Sequence, residues 1–416
     1  MTVKLFRNMN LFTPVDTGAP LKGTAQGVIS EIRGAAMLCC NGIIEQIGAE
    51  ADVLKKCSGI EVHEELNLHG SCVIPGFVDP HTHMCFAAKR EAEFKLRLSG
   101  TPYLEILKQG GGILSSVRAV RAATEETLYE QTRKLALSAL RLGTTTVEIK
   151  SGYGLDLDSE LKMLRCIRRV QKETPLDVAI TFMGAHAIPE EYKGKSDDFV
   201  EILIRDMLPM VRSQGIAEFC DIFCEEGVFS VEQSRKILLA AKKMGFGIKI
   251  HADEVHDLGG ASLAGELGVD SAEHLLAAGD LGLTEMGKKG IVAVLLPGTA
   301  YSLRKPYAQA RRMIDLSVPV ALATDCNPGS CFCESMPFIF GLSVLNMGMT
   351  PEEALTGATL NAAYAIKRSA TAGSLQAGKN ADFLILDGET PAALAYHAGG
   401  NSIGSVYKRA ELVHKN

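Results

Sequence analysis

The chain has 416 residues, of which 46% are hydrophobic and 22% charged, and its formal net charge is −6. This length and composition are sufficient for a large buried core, and we expect one large domain with a smaller one. Acidic and basic residues are mixed, and no basic patch is interleaved with aromatic residues, so nucleic acid is not an expected partner. The N-terminus lacks the apolar core of a signal peptide, and no apolar run approaches the roughly 20 residues of a membrane span. We therefore expect a cytoplasmic protein that does not use a membrane.

Eleven cysteines are scattered along the chain. An odd number of cysteines without a secretory signal indicates reduced thiols rather than a disulfide scaffold. Cys331 and Cys333 are separated by one residue and could bind a metal. Because no second pair follows at zinc-finger spacing, we interpret them as ordinary loop thiols.

From Val73 onwards, short apolar and β-branched runs alternate with amphipathic segments of helical period. Eight runs end in polar residues, and they are CVIPGFVDPHTH, GTTTVEIKSGYG, VAITFMGAHA, EFCDIFCEEG, GIKIHADE, SAEHL, IVAVLLPG and PVALATDCNPG. Helices are predicted over residues 124–142, with Thr124 as the N-cap, and over residues 230–244. Eight β–α units predict an α/β fold, a (β/α)8 TIM barrel over residues 73–371, with a doubly wound open sheet as the alternative. SAEHL is the weakest strand prediction because it is short.

The two ends of the chain differ from the middle. Residues 1–72 and 372–416 carry short strand-like pieces with glycine turns, such as ADFLIL near the C-terminus. Neither end is large enough for a good core alone, so both are predicted to join in one small composite β-sandwich domain. The segment after the first barrel strand, residues 85–123, is unusually long and contains three consecutive glycines, Gly110 to Gly112. We interpret it as a partial lid or substrate-holding loop, with a plain surface insertion as the alternative.

Polar residues at the strand ends carry the functional prediction, because the chemistry of such a barrel lies at the C-terminal ends of its strands. Five of the ten histidines fall there, and they are His81, His83, His186, His251 and His274. His81 and His83 point to the same side because a strand alternates its side chains. Packing hardly explains five histidines on one rim, since each ring nitrogen needs a partner. Three histidines and one aspartate suit a zinc-like divalent ion with an open water position, and we assign His81, His83, His251 and Asp325 as its ligands.

The candidate catalytic residues are Glu254, three residues after His251, and His274 from the next strand. A carboxylate and an imidazole beside a metal-activated water can shuttle protons, and the sequence leaves open which of them is the base. Alternatively, the two residues only orient His251. Lys150, at the end of the second barrel strand, could be carboxylated and bridge two metals. We favour a plain cation there, because the single-metal site is complete without it.

The motifs PGFVDPHTH, KIHADE, SAEHL and ATDCNPG resemble those of the amidohydrolase superfamily. The more specific EIKSGYG and GAHAIPEEYKG resemble one family within it, the hydrolases that open the ring of 4-imidazolone-5-propanoate in histidine degradation. The resemblance covers about residues 74–365. It implies the barrel with a composite β-sandwich, often as a homodimer, and one zinc or iron ion on the four ligands named above. It also implies cleavage of a cyclic amide C–N bond to give N-formimidoyl-L-glutamate, with metal-activated water attacking the ring carbonyl.

The resemblance further implies a set of substrate contacts. Arg90 would hold the propionate, aided by Tyr153 and His186. Glu254 would complete the pocket together with the loop after Asp325, which contributes Asn327, Gly329 and Ser330. Many relatives have threonine in place of Ser330, and either hydroxyl suits the role. A guanidinium offers a two-pronged match to a carboxylate, although Arg90 could also be a surface arginine in the mixed-charge run KREAEFKLR.

Two other functions remain open from the sequence. A deaminase of an aminated heterocycle would use the same histidine, glutamate and aspartate set, but Arg90 and EIKSGYG favour an anionic, non-aminated substrate. A non-catalytic scaffold related to these hydrolases is disfavoured by the retained ligands. The sequence does not separate zinc from iron or exclude a sister imidazolone as the substrate.

Overall fold

The computed structural model describes residues 2–101, 105 and 110–416. The strands, in chain order, are β1 (Val3–Pro14), β2 (Ile29–Cys40), β3 (Ile43–Ala49), β4 (Glu64–Pro75), β5 (Phe77–Asp79), β6 (Thr144–Lys150), β7 (Asp177–Ala185), β8 (Phe219–Cys224), β9 (Gly247–Ala252), β10 (Ser271–His274), β11 (Val292–Leu295), β12 (Val320–Leu322), β13 (Phe383–Leu386), β14 (Ile403–Lys408) and β15 (Glu411–Lys415). The described α-helices are α1 (Glu50–Cys57), α2 (Glu91–Leu98), α3 (Ile113–Ala122), α4 (Glu125–Arg141), α5 (Leu157–Glu173), α6 (Ser196–Ile202), α7 (Leu208–Gln214), α8 (Val231–Lys243), α9 (Gly260–Leu267), α10 (Asp280–Lys289), α11 (Pro297–Leu303), α12 (Ala310–Asp315), α13 (Met336–Asn346), α14 (Pro351–Ala358), α15 (Leu360–Ala365) and α16 (Ala393–Tyr396). A π-helical turn, Leu203–Met207, joins α6 to α7, and short 3-10 turns cover Gly23–Gly27 and Glu190–Tyr192.

Within the described residues, strands β5 to β12 form one parallel sheet of eight strands in sequential order. The first and last strands of the sheet approach each other just beyond their ends, where Asp325 N–H donates to the His81 carbonyl at 3.1 Å. His83 N–H donates to the Cys326 carbonyl at 2.9 Å, and these two hydrogen bonds close the ring. The eight strands and the (β/α)8 barrel predicted from the sequence are confirmed, including the short strand from SAEHL, and the open-sheet alternative is excluded.

The alternation of β6 shows why polar residues line the top of the barrel. Every residue of this strand is buried. Val147 and Ile149 join the apolar core that packs under the helices. Glu148 and Lys150, between and after them, hydrogen bond to each other and to charged groups of β8 and β9 inside the barrel. Because successive side chains of a strand face opposite sides, one strand supplies both the outer apolar core and the inner polar layer.

Both predicted helices are confirmed by their caps. Thr124 accepts the N–H of Thr127 at 3.1 Å and begins α4. Ser230 begins α8 with a reciprocal capping box, in which Ser230 and Gln233 each accept the other's backbone N–H, at 3.2 and 3.0 Å. These side chains satisfy backbone donors that a helix start would otherwise leave unpaired.

The strands from the two ends of the chain form one seven-stranded mixed sheet in the order β15-β14-β13-β4-β1-β2-β3. The C-terminal strand β13 pairs with β4 of the N-terminal part, which confirms a composite β-domain built from both termini. Its core includes Phe383 and Tyr407, whose rings stack with centroids 4.4 Å apart. The proposed division into 1–72 with 372–416 and 73–371 remains an interpretation: β4 continues to Pro75, and the first barrel strand begins at Phe77.

The long segment after β5 contains helices α2 and α3 in its described part. Residues 102–104 and 106–109 of this segment lie outside the described residues, so its role as a lid or substrate-holding loop remains a prediction. Among the helices that the structure describes, none has the length and apolar character needed to cross a membrane.

Candidate active site

Three histidines meet at the C-terminal rim of the barrel. His81 and His83 follow β5, and His251 lies near the end of β9. The Nε2 atom of His83 lies 3.2 Å from Nε2 of His81 and 3.2 Å from Nε2 of His251. Asp325, which follows β12, places Oδ1 3.6 Å from His81 Nε2 and 3.7 Å from His83 Nε2. The structure therefore brings together the four residues that the sequence predicts as metal ligands, and all four are buried.

The protonation of these groups suits a cation. Burial lowers the pKa of His81 and His83 well below the ordinary range, and the charge of Lys150 adds to the effect, so both rings are neutral. Among the described residues, neither Nδ1 atom of this pair has a hydrogen-bond partner. Burial raises the pKa of Asp325 to about 6, which still leaves the carboxylate largely ionised at neutral pH. Its Oδ2 accepts the hydroxyl of Thr299 at 2.5 Å, and Oδ1 remains the oxygen near the histidines.

The spacing of the nitrogens also fits a metal. Ligand atoms at about 2.0–2.1 Å from a tetrahedral zinc ion are roughly 3.3 Å from one another. Neutral imidazoles with Nε2 atoms at this separation and no proton between them repel each other, and a shared cation relieves the repulsion. Three nitrogens and one carboxylate oxygen form a donor set that zinc and iron both accept.

A buried charge network lies directly beneath the histidines. Asp221 of β8 accepts a hydrogen bond from His251 Nδ1 at 3.2 Å and one from Lys150 Nζ at 2.7 Å. Lys150 also pairs with Glu148 at 2.7 Å. Burial opposes the ionisation of Asp221, but Lys150 and His251 outweigh it and hold the pKa of its carboxyl well below the ordinary range. Lys150 is thus engaged by two carboxylates, which supports the interpretation of Lys150 as a plain cation.

A second group of potential ligands, Asp221, His251 and Glu273, lies in the same region. Its carboxylates are not available to a cation: Lys150 pairs with Asp221, and burial raises the pKa of Glu273 to about 8 despite Lys249 at 3.4 Å. Sequence reasoning missed Asp221 and Lys249. The signal was present, because each is a charged residue inside an apolar strand, in FCDIFC and GIKIHA.

Glu254 and His274 lie beside the histidine cluster, as the sequence predicts. Glu254 Oε1 is 3.7 Å from His274 Nδ1, and the His274 ring centroid is 5.2 Å from that of His251. Burial raises the pKa of Glu254 to about 7, and the charge of Glu225 adds to it. Burial lowers the pKa of His274, so that ring is neutral. A carboxyl that titrates near neutral pH can both accept and donate a proton during one turnover.

Tyr153 and His186 stand on the other side of the cluster. The His186 ring stacks on the His83 ring, with centroids 4.7 Å apart and planes 19° apart. Tyr153 lies 5.3 Å from His186 and 6.1 Å from His83, centroid to centroid. Both predicted substrate contacts therefore face the region of the metal ligands.

The loop that carries Tyr153 is anchored by a residue that sequence reasoning missed. Glu160, buried in α5, accepts the backbone N–H groups of Gly152, Gly154 and Leu155 at 2.8–3.2 Å. Gly152 has a φ of +108°, and a Cβ there would lie 2.9 Å from Nδ1 of His186. Glycine is therefore required at this turn, and the glutamate fixes the path of the backbone around it.

Arg90 lies on the same rim and touches the loop after Asp325. Its guanidinium donates two hydrogen bonds to Glu93, at 2.9 and 2.7 Å. It also packs against Gly329 so closely that any side chain at residue 329 would place its Cβ 2.3 Å from Nη1 of Arg90. Both residues line a cavity of about 460 Å³, whose walls include Phe332 and Phe338. Arg90 is thus a pocket residue, and the structure brings it together with Gly329.

Asn327 and Ser330 organise the loop between them. Asn327 Oδ1 accepts the N–H groups of Gly329 and Ser330 at 2.8 and 2.7 Å, and Asn327 Nδ2 donates to the Asp325 carbonyl at 2.7 Å. The Ser330 hydroxyl is 2.9 Å from Asn327 Nδ2. These hydrogen bonds engage the Asn327 amide within its own loop, so it shapes the pocket through the backbone.

The comparisons with known proteins agree with this site. The Amidohydrolase family matches residues 72–413. The imidazolonepropionase of Desulfotalea psychrophila is 60% identical over 414 residues, which cover 100% of both chains. The imidazolonepropionase of Syntrophobacter fumaroxidans is 58% identical and covers 99% of this chain and 97% of its own length. The chain therefore belongs to the amidohydrolase family and, within it, to the imidazolonepropionase family, which confirms the resemblance seen in the motifs.

Solved structures with the same fold include two deaminases. Guanine deaminase of E. coli superposes with a TM-score of 0.75 at 14% identity and covers 100% of both chains. An adenosine deaminase of Xanthomonas campestris, solved with bound zinc, superposes with a TM-score of 0.69 at 17% identity and covers 98% of this chain and 92% of its own. At these identities the likeness extends to the fold and not to the substrate.

Proposed function

We propose that this chain is a metal-dependent hydrolase that opens the ring of 4-imidazolone-5-propanoate to give N-formimidoyl-L-glutamate in histidine degradation. The observation that carries the proposal is the near-complete, 60% identical match to an imidazolonepropionase. The rim chemistry supports it, because the rim carries a cluster of neutral histidines, a carboxyl with a pKa of about 7 and a pocket arginine.

We infer that one divalent ion, zinc or iron, is held by His81, His83, His251 and Asp325. The donor set and the nitrogen spacing of 3.2 Å support this assignment. When bound, such an ion lowers the pKa of water and polarises a carbonyl oxygen. Asp221 then acts on the site through His251, because its hydrogen bond fixes the tautomer in which Nε2 carries the lone pair.

Glu254 is the proton carrier in this proposal. In its ionised form it accepts a proton from the attacking water, and the water oxygen bonds to the ring carbonyl carbon. The C–N bond of the ring then breaks, and Glu254 returns the proton to the leaving ring nitrogen. His274, 3.7 Å from Glu254, orients that carboxylate and faces the oxyanion.

The propionate of the substrate is assigned to Arg90. Its guanidinium lines the cavity of about 460 Å³, and its charge acts on Tyr153, which faces the metal ligands. Arg90 can share its donors between Glu93 and a bound carboxylate. Tyr153 and His186 bound the ring on the opposite side. Asn327, Gly329 and Ser330 hold the loop against which the substrate would lie.

A turnover assay tests the function. Metal-loaded protein is supplied with 4-imidazolone-5-propanoate made in situ, and ring absorbance, N-formimidoyl-L-glutamate and free ammonia are followed together. We expect loss of the ring with formation of that product and no ammonia. Release of ammonia from an aminated heterocycle, without turnover of the imidazolone, would instead identify a deaminase.

The variant Glu254→Gln tests the proton carrier in the same assay. We expect it to lose most turnover while keeping its metal, because the amide cannot accept the proton of water. Glu226→Gln is the matched control, since Glu226 is an exposed carboxylate on the neighbouring loop after β8. Loss of metal together with activity would make Glu254 a structural residue.

The homodimer is proposed on the family resemblance alone, and the cytoplasmic location on the eleven free cysteines. Size-exclusion chromatography with light scattering tests the former. Metal analysis of protein purified without added ions distinguishes zinc from iron.

A further inference from the structure

Two thiols line the cavity of about 460 Å³ that also contains Arg90. Cys331 and Cys333 belong to the segment between Asp325 and helix α13. Cys331 is buried at 2% exposure, and Cys333 is half-buried. The proposed reaction uses neither residue, and the sequence alone indicates only ordinary loop thiols.

The surroundings of Cys333 stabilise a thiolate. Its Sγ accepts the backbone N–H of Ser335 at 3.5 Å, and Ser335 is the N-cap of the eleven-residue helix α13. The positive end of a helix favours a nearby negative charge. The neighbouring Cys331 thiol lowers the pKa of Cys333, against the opposing effects of burial and of the charges of Glu334 and Asp79, and the pKa of Cys331 is raised.

Other described cysteines behave in the opposite way. For these cysteines burial raises the pKa of the thiol, and Cys57 is half-buried among them. They are Cys39, Cys57, Cys72, Cys85, Cys166, Cys220, Cys224 and Cys326. Cys57 and Cys333 are both half-buried, and the pKa of the Cys57 thiol is raised whereas that of the Cys333 thiol is lowered.

The cavity walls indicate which reagents would reach Cys333. Three cations line the cavity, Lys89, Arg90 and Arg97, together with one carboxylate, Glu91. The remaining walls include several aromatic rings, and the Lys89 ammonium lies 4.9 Å from the centre of the Phe332 ring. An excess of positive charge over apolar walls suits a small anionic molecule with apolar parts.

We propose that Cys333 is a thiol-modification site that takes small anionic disulfides. The Cys333 thiolate attacks one sulfur of the disulfide, the S–S bond breaks, and the other half leaves as a thiolate. A mixed disulfide remains on Cys333, and Cys331 keeps its proton. On the proposed function, the adduct fills the cavity beside Arg90 and therefore blocks substrate binding.

The test uses the full-length, metal-loaded protein and the dianionic reagent 5,5′-dithiobis(2-nitrobenzoate). The released thiolate is followed by absorbance, and the modified peptide is identified by mass spectrometry. We expect Cys333 to react first and about tenfold faster than Cys57, because its thiolate fraction is larger. The uncharged reagent 4,4′-dithiodipyridine should give a smaller ratio of the two rates. Equal rates at the two cysteines, or a ratio independent of reagent charge, would overturn the proposal.

Variants separate the roles of the two thiols. Cys333→Ser should abolish the fast phase and keep turnover, whereas Cys57→Ser, the matched control, should leave the fast phase unchanged. Cys331→Ala should slow the modification of Cys333, and Cys331→Ser should retain it because a hydroxyl can still donate. A fast phase that persists in Cys333→Ser contradicts the site.

The effect on activity is measured separately from the labelling. Modified native protein should lose turnover of the imidazolone, and a reducing thiol should restore it. Full turnover by the modified protein would refute the blocking of Arg90. If native protein does not turn over the imidazolone at all, the proposed function fails, while the labelling rates still decide whether Cys333 is the modification site.

Discussion

Burial raises the pKa of Glu254 in the active site, and the like charge of Glu225 raises it further. Glu225 is buried and accepts the N–H of Val255 at 2.9 Å and Nδ1 of His256 at 3.0 Å, so its negative charge is held beside the Glu254 loop. Glu225 is the charged group that acts on the pKa of Glu254, whereas the nearby His274 ring is neutral. With a pKa of about 7, Glu254 loses its basic form as the pH falls, so kcat/KM should decrease below about pH 7.

The variant Glu225→Gln should move this decrease to lower pH. The amide keeps an acceptor for the Val255 N–H but removes the like charge that raises the pKa of Glu254. The measurement is the pH profile of kcat/KM. Glu226→Gln, an exposed neighbour, should leave the profile unchanged. An unshifted profile in Glu225→Gln would show that burial alone sets the pKa of Glu254.

Asp221 controls metal affinity through His251. Replacing it by asparagine removes the charge that Lys150 and His251 both contact. We expect Asp221→Asn to weaken metal binding by about 10–100-fold, as is usual when the partner of a metal-binding histidine is lost. Competition with a chromophoric chelator measures the affinity. Asp382→Asn is the control, because its carboxylate is equally buried but lies in the terminal sheet. Equal losses in both variants would indicate general destabilisation.

At the scale of elements, the loop from Ser151 to Leu155 depends on helix α5. The Glu160 carboxylate accepts three backbone N–H groups of this loop. In Glu160→Gln the side-chain NH2 would face some of these N–H donors, which would then lack an acceptor. Unsatisfied buried groups cost roughly 1–3 kcal/mol, and we expect the unfolding free energy to fall by that amount. Displacement of Tyr153 should also raise KM while metal content stays unchanged.

Chemical denaturation, metal analysis and steady-state kinetics check the Glu160→Gln prediction together. Asp158→Asn is the matched control, because Asp158 is an exposed acid in the first turn of the same helix. A variant that loses stability but keeps the native KM would show that Glu160 supports the fold and not the position of Tyr153.

The elements that the sequence predicted well are those with strong local periodicity. Parallel strands place their ends on one rim, so the five histidines and Asp325 could be assigned to one site from the sequence alone. Glu160 could not, because a glutamate in an amphipathic helix usually faces solvent, and only the tertiary contact shows that it faces the loop. Asp221 and Lys249 were recognisable as charged residues inside apolar strands, but the sequence did not show their role. Their value depends on each other and on Lys150, and no single strand contains the whole network.

At the scale of the whole molecule, the terminal sheet and the barrel share one chain segment. Strand β4 of the sheet continues through Gly76 into β5, which leads to His81 and His83. Gly76 N–H donates to the carbonyl of Asp382, the residue just before β13, at 2.9 Å. If residue 76 had a side chain, its Cβ would lie 2.3 Å from Thr145. The close packing at this glycine joins the sheet to the strand that carries the first two metal ligands.

Lys408 of β14 connects the two parts through a buried ion cluster. Its Nζ lies 2.6 Å from Asp177 at the start of barrel strand β7 and 2.5 Å from Asp382. Removing one partner of a buried pair leaves an uncompensated charge, so Lys408→Met should lower the unfolding free energy by about 3–5 kcal/mol. Urea unfolding measures the loss, and Lys415→Met on the exposed end of β15 is the control. Adding Asp382→Asn to Lys408→Met should recover part of the unfolding free energy, because a buried neutral amide costs less than a buried carboxylate without its cation. If Lys408→Met unfolds like its control, the cluster does not couple the sheet to the barrel.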